Sequence, residues 1–92
     1  MKTLKVGDII VDVFSYNMTF VKFYQITEVS KTGKTIKFLR IDSRIVEGNG
    51  MFGKVVARPD EFIEPASSTR QCRTSRSPAI WNGEPMYFNT ID

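Results

Sequence analysis

"FVKFYQITEVSKTGKTIKFLRI", residues 20–41, decides the fold class. Its first ten residues mix aromatic and β-branched side chains, and alternation puts Phe20, Lys22, Tyr24, Ile26 and Glu28 on one face of an extended chain. "SKTGK" then supplies Ser30 and Gly33, the chemistry of a tight reversal, before "TIKFLRI" resumes an extended pattern through Ile41. The stretch predicts a long hairpin, with one strand over 20–29 and the next running to Ile41.

The flanks read the same way. In "DIIVDVF", residues 8–14, Ile9, Val11 and Val13 alternate with Asp8, Ile10, Asp12 and Phe14, which predicts a strand with one fully apolar face. "GNGMFG", residues 48–53, has three glycines in six residues and predicts a flexible loop that exposes Met51 and Phe52 unless they fold back on the core. "KVVARP", residues 54–59, reads as a strand stopped by Pro59, and the acidic, proline-bounded "DEFIEP" as a single helical turn or a corner. Near the end, Asn82 and Gly83 mark a turn before a short strand over 86–88. No stretch sustains a helical period, and no internal repeat is present. The expectation is one domain over residues 1–92, all-β or mainly β with one short helical turn. It takes the form of a small bent antiparallel sheet or an SH3-like barrel, with an OB-like barrel as the other architecture of this size.

Ninety-two residues, 41% hydrophobic and 25% charged, suffice for one small core but not for a deep cleft between lobes. Asp8 and Asp12 interrupt the apolar run near the N-terminus, so no signal-peptide core forms, and no stretch approaches the ~20 apolar residues of a membrane span. A lone cysteine, Cys72, cannot form an internal disulfide. A soluble intracellular protein is expected. The net charge of +3 is localised: residues 65–83 hold Arg70, Arg73 and Arg76 and no acid, while the rest of the chain balances ten cations against ten acids.

Catalytic chemistry finds little support. Without histidine the commonest general base and metal ligand are missing, and one cysteine rules out a thiolate zinc site within the chain. "GNGMFG" lacks the lysine and hydroxyl residue of a phosphate-cradling loop. Asp60, Glu61 and Glu64 read as a solvated acidic turn before they read as paired catalytic carboxylates. Cys72, set between arginines, reads as a bystander before a reactive thiol. The expectation is a protein that is not an enzyme and uses no metal, cofactor or small-molecule substrate.

The arginines at 70, 73 and 76 are spaced three apart in "SSTRQCRTSRSP", residues 67–78. A regular strand would put Arg70 and Arg76 on one side and Arg73 on the other. A polyproline-like conformation would align all three. Guanidinium groups grip phosphates bidentately, and the neighbouring hydroxyls add neutral donors, so the segment suits a nucleic-acid backbone, with Lys34, Lys37 and Arg40 as further candidates. The bland alternative is a solubilising loop, or pairing with Asp60, Glu61 and Glu64. Phe20, Phe23, Tyr24 and Phe38 are either core or a stacking platform for bases, and Trp81 is a core plug. Tyr16, Met18, Met51 and Phe52 fall in loops and are the apolar candidates for an interface.

The order "KVGDIIV", "YNMTFVKFYQITEV", "LRIDSRIVEG", "GKVVARPDEF" and "WNGEPMYF" resembles a group of small uncharacterised proteins of bacteriophages and other mobile elements, over about residues 5–90. "FSYNMTF" stands where members of the group carry a tryptophan-glycine-tyrosine-aspartate-type run, so no role for that loop carries over. The resemblance implies a phage-encoded inhibitor of host defence, such as an anti-CRISPR protein, acting in the host cytoplasm on a nucleoprotein complex of protein with RNA or DNA. Its basic segment would meet nucleic acid or an acidic protein surface. The alternative expectation is a protein–protein adaptor or virion component that touches no nucleic acid.

Overall fold

The computed structural model describes residues 4–15, 18–76 and 79–89, with the Arg76 side chain excluded. Tyr16 and the side chain of Arg76, both candidates above, lie outside the described residues. Among the described residues six strands form one antiparallel sheet: β1 (Ile9–Ser15), β2 (Thr19–Val29), β3 (Thr35–Gly48), β4 (Phe52–Phe62), β5 (Arg70–Arg73) and β6 (Met86–Asn89). Two three-residue 3-10 turns, Ala66–Ser68 and Thr74–Arg76, are the helical elements among the described residues. β2, β3, β4 and β6 pair in a ring, so the sheet closes into a small barrel, with β1 added beside β2 and β5 beside β3.

The hairpin at 20–41 forms as its alternation predicts, in register from Phe23 opposite Ile41 to Val29 opposite Ile36. A bulge at Thr27 shifts the register, and the Thr27 hydroxyl donates to the Lys37 carbonyl at 3.4 Å. The hairpin buries both faces. Phe23 and Ile41 join Ile9, Val55, Ala57 and Phe88 in one core, whereas Tyr24, Ile26 and Ile36 join Ile10 in a second, against which Cys72 and Ile80 pack. β1 therefore differs from the single apolar face expected of it: Ile9 and Ile10 point into different cores, and Val13 and Phe14 farther along are exposed. Trp81 packs edge-on against Phe23 with ring centroids 5.3 Å apart. Residues 79–81 run along the outer edge of β1, where Val11 donates to the Ala79 carbonyl and Trp81 to the Ile9 carbonyl.

Three expectations are corrected. β3 does not end at Ile41 but continues to Gly48 beside β4. β4 is not stopped by Pro59 and runs to Phe62, because residues 58–61 bulge out of the ladder between the Ser43–Ala57 and Ile41–Phe62 pairs, where proline's missing donor costs no ladder bond. Asp60 in this bulge holds a left-handed φ of 66°. It is clasped by the buried Gln25, whose amide donates to Asp60 Oδ1 at 2.8 Å and accepts from the Asp60 backbone at 2.7 Å. The helical turn expected in "DEFIEP" comes later, after Pro65.

"GNGMFG" forms a tight hairpin tip. The Asn49 side chain accepts from the Met51 and Phe52 amides, and Gly48 pairs with Gly53. Both glycines have positive φ, and a Cβ on Gly53 would collide with the Glu47 carbonyl oxygen. Gly53→Ala is expected to cost about 1–3 kcal/mol in a denaturant titration. Gly50→Ala, where the added Cβ meets no atom, should leave the midpoint nearly unchanged.

Candidate functional site

Two segments of the chain combine several cations with no acid, residues 29–41 and 65–83. The fold brings them together. β5 pairs with the first half of β3, from Phe38 opposite Arg70 to Thr35 opposite Arg73. Beyond that ladder, Thr74 donates through its backbone to the Lys34 carbonyl and through its hydroxyl to the Gly33 carbonyl, each at 2.9 Å. The β2–β3 turn is braced from within, because Gly33 and Thr35 both bond to Ser30. Lys31, Lys34 and Arg73 are exposed on this end, among the hydroxyls of Thr32, Thr74 and Ser75. No described carboxylate lies within salt-bridge distance of these three cations.

Strand geometry splits the arginine row. Arg73 points away from the face that carries Arg70 and Cys72. The Arg70 guanidinium grips Glu64 with two bonds, Nη1 to Oε1 at 2.6 Å and Nη2 to Oε2 at 3.3 Å. It also sits over the Tyr24 ring at 5.2 Å. Tyr24 in turn meets Phe38 edge-on at 5.4 Å. Of the other expected contacts, Lys37 pairs with Glu28 at 3.5 Å, and the Arg40 backbone donates to the same Glu64 carboxylate. The structure thus places Lys34 and Arg73 together, draws Arg70 and Arg40 toward Glu64, and engages Lys37. Lys31 was not singled out from the sequence, although it stands in the same acid-free stretch.

The aromatics of the central hairpin divide in the same manner. Phe23 and Tyr24 are buried, Phe38 is half-buried and Phe20 is exposed. Among the apolar candidates, Met18 is half-buried, and Met51 and Phe52 are exposed at the β3–β4 tip. Phe14 and Phe20 face each other across β1 and β2 and add exposed apolar surface near a groove of about 180 Å³. Thr19, Phe20, Val21, Ser43, Ile45, Val55 and Phe88 line that groove.

Among the described residues no group of three His, Cys, Asp or Glu side chains is placed to hold a metal ion, and no helix is long and apolar enough to cross a membrane. No protein-family model, curated protein or solved structure matches the chain.

The bonds from Arg70, followed by that from the Arg40 amide, hold the Glu64 carboxyl below the ordinary carboxylate range. A folded-state pKa below the unfolded one stabilises the fold above the unfolded pKa, and that contribution is lost as pH falls through the folded value. Arg70→Gln should therefore raise the Glu64 midpoint in a carboxyl-carbon NMR titration. The stability gap between variant and wild type should be full at pH 7 and narrow as the pH drops below about 4.

Proposed function

We propose that the protein acts by binding, without catalysis, and that the end carrying Lys31, Lys34 and Arg73 holds the phosphate backbone of a nucleic acid. The observation that carries this reading is the pairing of β5 with β3, which unites the two acid-free segments and leaves three exposed cations at one end with no described carboxylate partner. Cations and hydroxyls with no exposed aromatic among them suit backbone contact and not base readout. The resemblance to small phage and mobile-element proteins supports a host nucleoprotein complex as the target and inhibition of host defence as the outcome. The adaptor reading draws on different residues, the exposed apolar groups at the opposite end.

Three phosphate contacts give a log–log salt dependence with slope of about −2 to −3. In anisotropy titrations against a labelled duplex of mixed sequence, wild type should follow that slope, and Lys34→Ala or Arg73→Ala should each flatten it by close to ~1. Arg70→Gln and Lys37→Ala should change it little. Binding indifferent to Lys31, Lys34 and Arg73 together would remove the basic end from the function. Capture of a nucleoprotein complex from bacterial lysate by wild type, lost on nuclease treatment and in the same triple variant, would extend the reading to the proposed target.

A further inference from the structure

β3 is the longest strand, and its fourteen residues, at about 3.3 Å each, hold its two ends well apart. The basic end lies at its start, and the apolar groove lies at its far end, between the outer stretches of β2 and β3. These two strands pair only as far as Phe23 and Ile41. Beyond that point Ser43–Gly48 of β3 has a ladder partner on one side only, β4. Phe20–Lys22 of β2 likewise pairs only with β1, before β6 takes up Thr19. Among the described residues, two strand edges therefore face an opening with no ladder partner. Such edges accept an added strand through their backbone groups.

The side chains around the opening select what that strand carries. On the inner face Val21, Ile45 and Phe88 offer apolar surface around a groove of about 180 Å³, room for one large aliphatic or aromatic side chain. On the outer face, Lys22 of β2, next to the exposed Phe20, and Arg44 of β3 stand on the two sides of the opening. Asp12 lies opposite Lys22 on β1, beyond salt-bridge distance, and the β3 acids Asp42 and Glu47 already hold Arg58 and Lys54. A strand laid here alternates between an apolar interior and a cationic exterior.

We infer that the opening beside β3 is a docking site for an extended segment of a partner protein that alternates apolar and acidic residues and adds as a strand to the Ser43–Gly48 edge. A second copy of this chain is the poorer occupant, since edge-to-edge pairing of two β3 strands sets Arg44 of one copy on the same face as Arg44 of the other. The site is separate from the basic end, so one molecule can hold a polyanion and a protein strand together.

The test uses fluorescein-labelled peptides of about ten residues, one alternating Val with Glu and one alternating Val with Lys. Both are titrated into the full chain carrying Lys31→Ala, Lys34→Ala and Arg73→Ala, so that the acidic peptide cannot be counted at the basic end. Saturable binding of the Val–Glu peptide is expected, with amide shifts confined to residues 19–22 and 43–48, and at least tenfold weaker binding of the Val–Lys peptide. Arg44→Glu should invert that preference. Ile45→Asp should weaken Val–Glu binding about tenfold, while in the background with an intact basic end it leaves duplex binding and the circular dichroism spectrum unchanged. Absence of Val–Glu binding, indifference to peptide charge, shifts elsewhere, or a sedimenting dimer that Ile45→Asp dissociates would each overturn the inference. The duplex titrations stand or fall independently of all of these.

Discussion

The barrel depends on a handover at Ile41, where β3 leaves β2 as its neighbour and continues alone beside β4. Ile41 is almost completely buried, opposite Phe23 on one side and Phe62 on the other. The change of partner is possible because four residues of β4 bulge out opposite Asp42. That bulge contains a proline and a non-glycine residue at positive φ, which is costly unless something holds it. Gln25 does so by meeting both the amide and the carboxylate of Asp60, which also satisfies the polar groups of a glutamine buried inside β2. The Arg58–Asp42 ion pair closes the same bulge from the solvent side. Without this arrangement β4 has no route from its hairpin with β3 back to the chain that leads to β5.

The central hairpin was legible because alternation, a Gly-containing reversal and β-branched composition all agree over residues 20–41. The second half of β3 was not. "DSRIVE" is mostly polar on both faces, and its strand state comes from pairing with β4, a long-range contact that leaves little trace in local propensity. Pro59 was read as a stop since a proline in a regular ladder is one, and what spares it here is a bulge set by Gln25, distant in sequence. β5 is a strand of four residues without a β-branched side chain, and it exists because the β3 edge is there to receive it.

The charge asymmetry was legible as two acid-free stretches, and their union in space follows from β5 joining β3. Which cations stay outward was not legible, because the carboxylates that engage them come from elsewhere: Glu64 from the segment before β5, and Glu28 from the neighbouring strand across a bulge. Lys31 went unnoticed for a related reason. It sits in the reversal itself, where the sequence signal is the glycine, and that reversal is joined to the end of β5 by Thr74 bonding to both Gly33 and Lys34.

An evenly spaced arginine row in sequence is thus not a row in space. Strand parity sends Arg70 to the face of the second core and Arg73 to the opposite side. Arg70 already has what a phosphate would offer, two parallel bonds to a carboxylate, together with an aromatic face beneath the guanidinium. To reach an external anion it would have to release Glu64, leaving that half-buried carboxylate with the Arg40 amide alone, and to leave Tyr24. A phosphate replaces the first interaction at best and the second not at all, so Arg70 has less to gain from an external anion than an unpaired arginine has. Arg73 has no carboxylate to release among the described residues. The same residue type three positions apart is therefore a clasp that fastens β5 to the barrel at one site and a free cation at the other. Evenly spaced cations in a strand-forming segment need to be read by parity and by the acids within reach before they are read as a binding row.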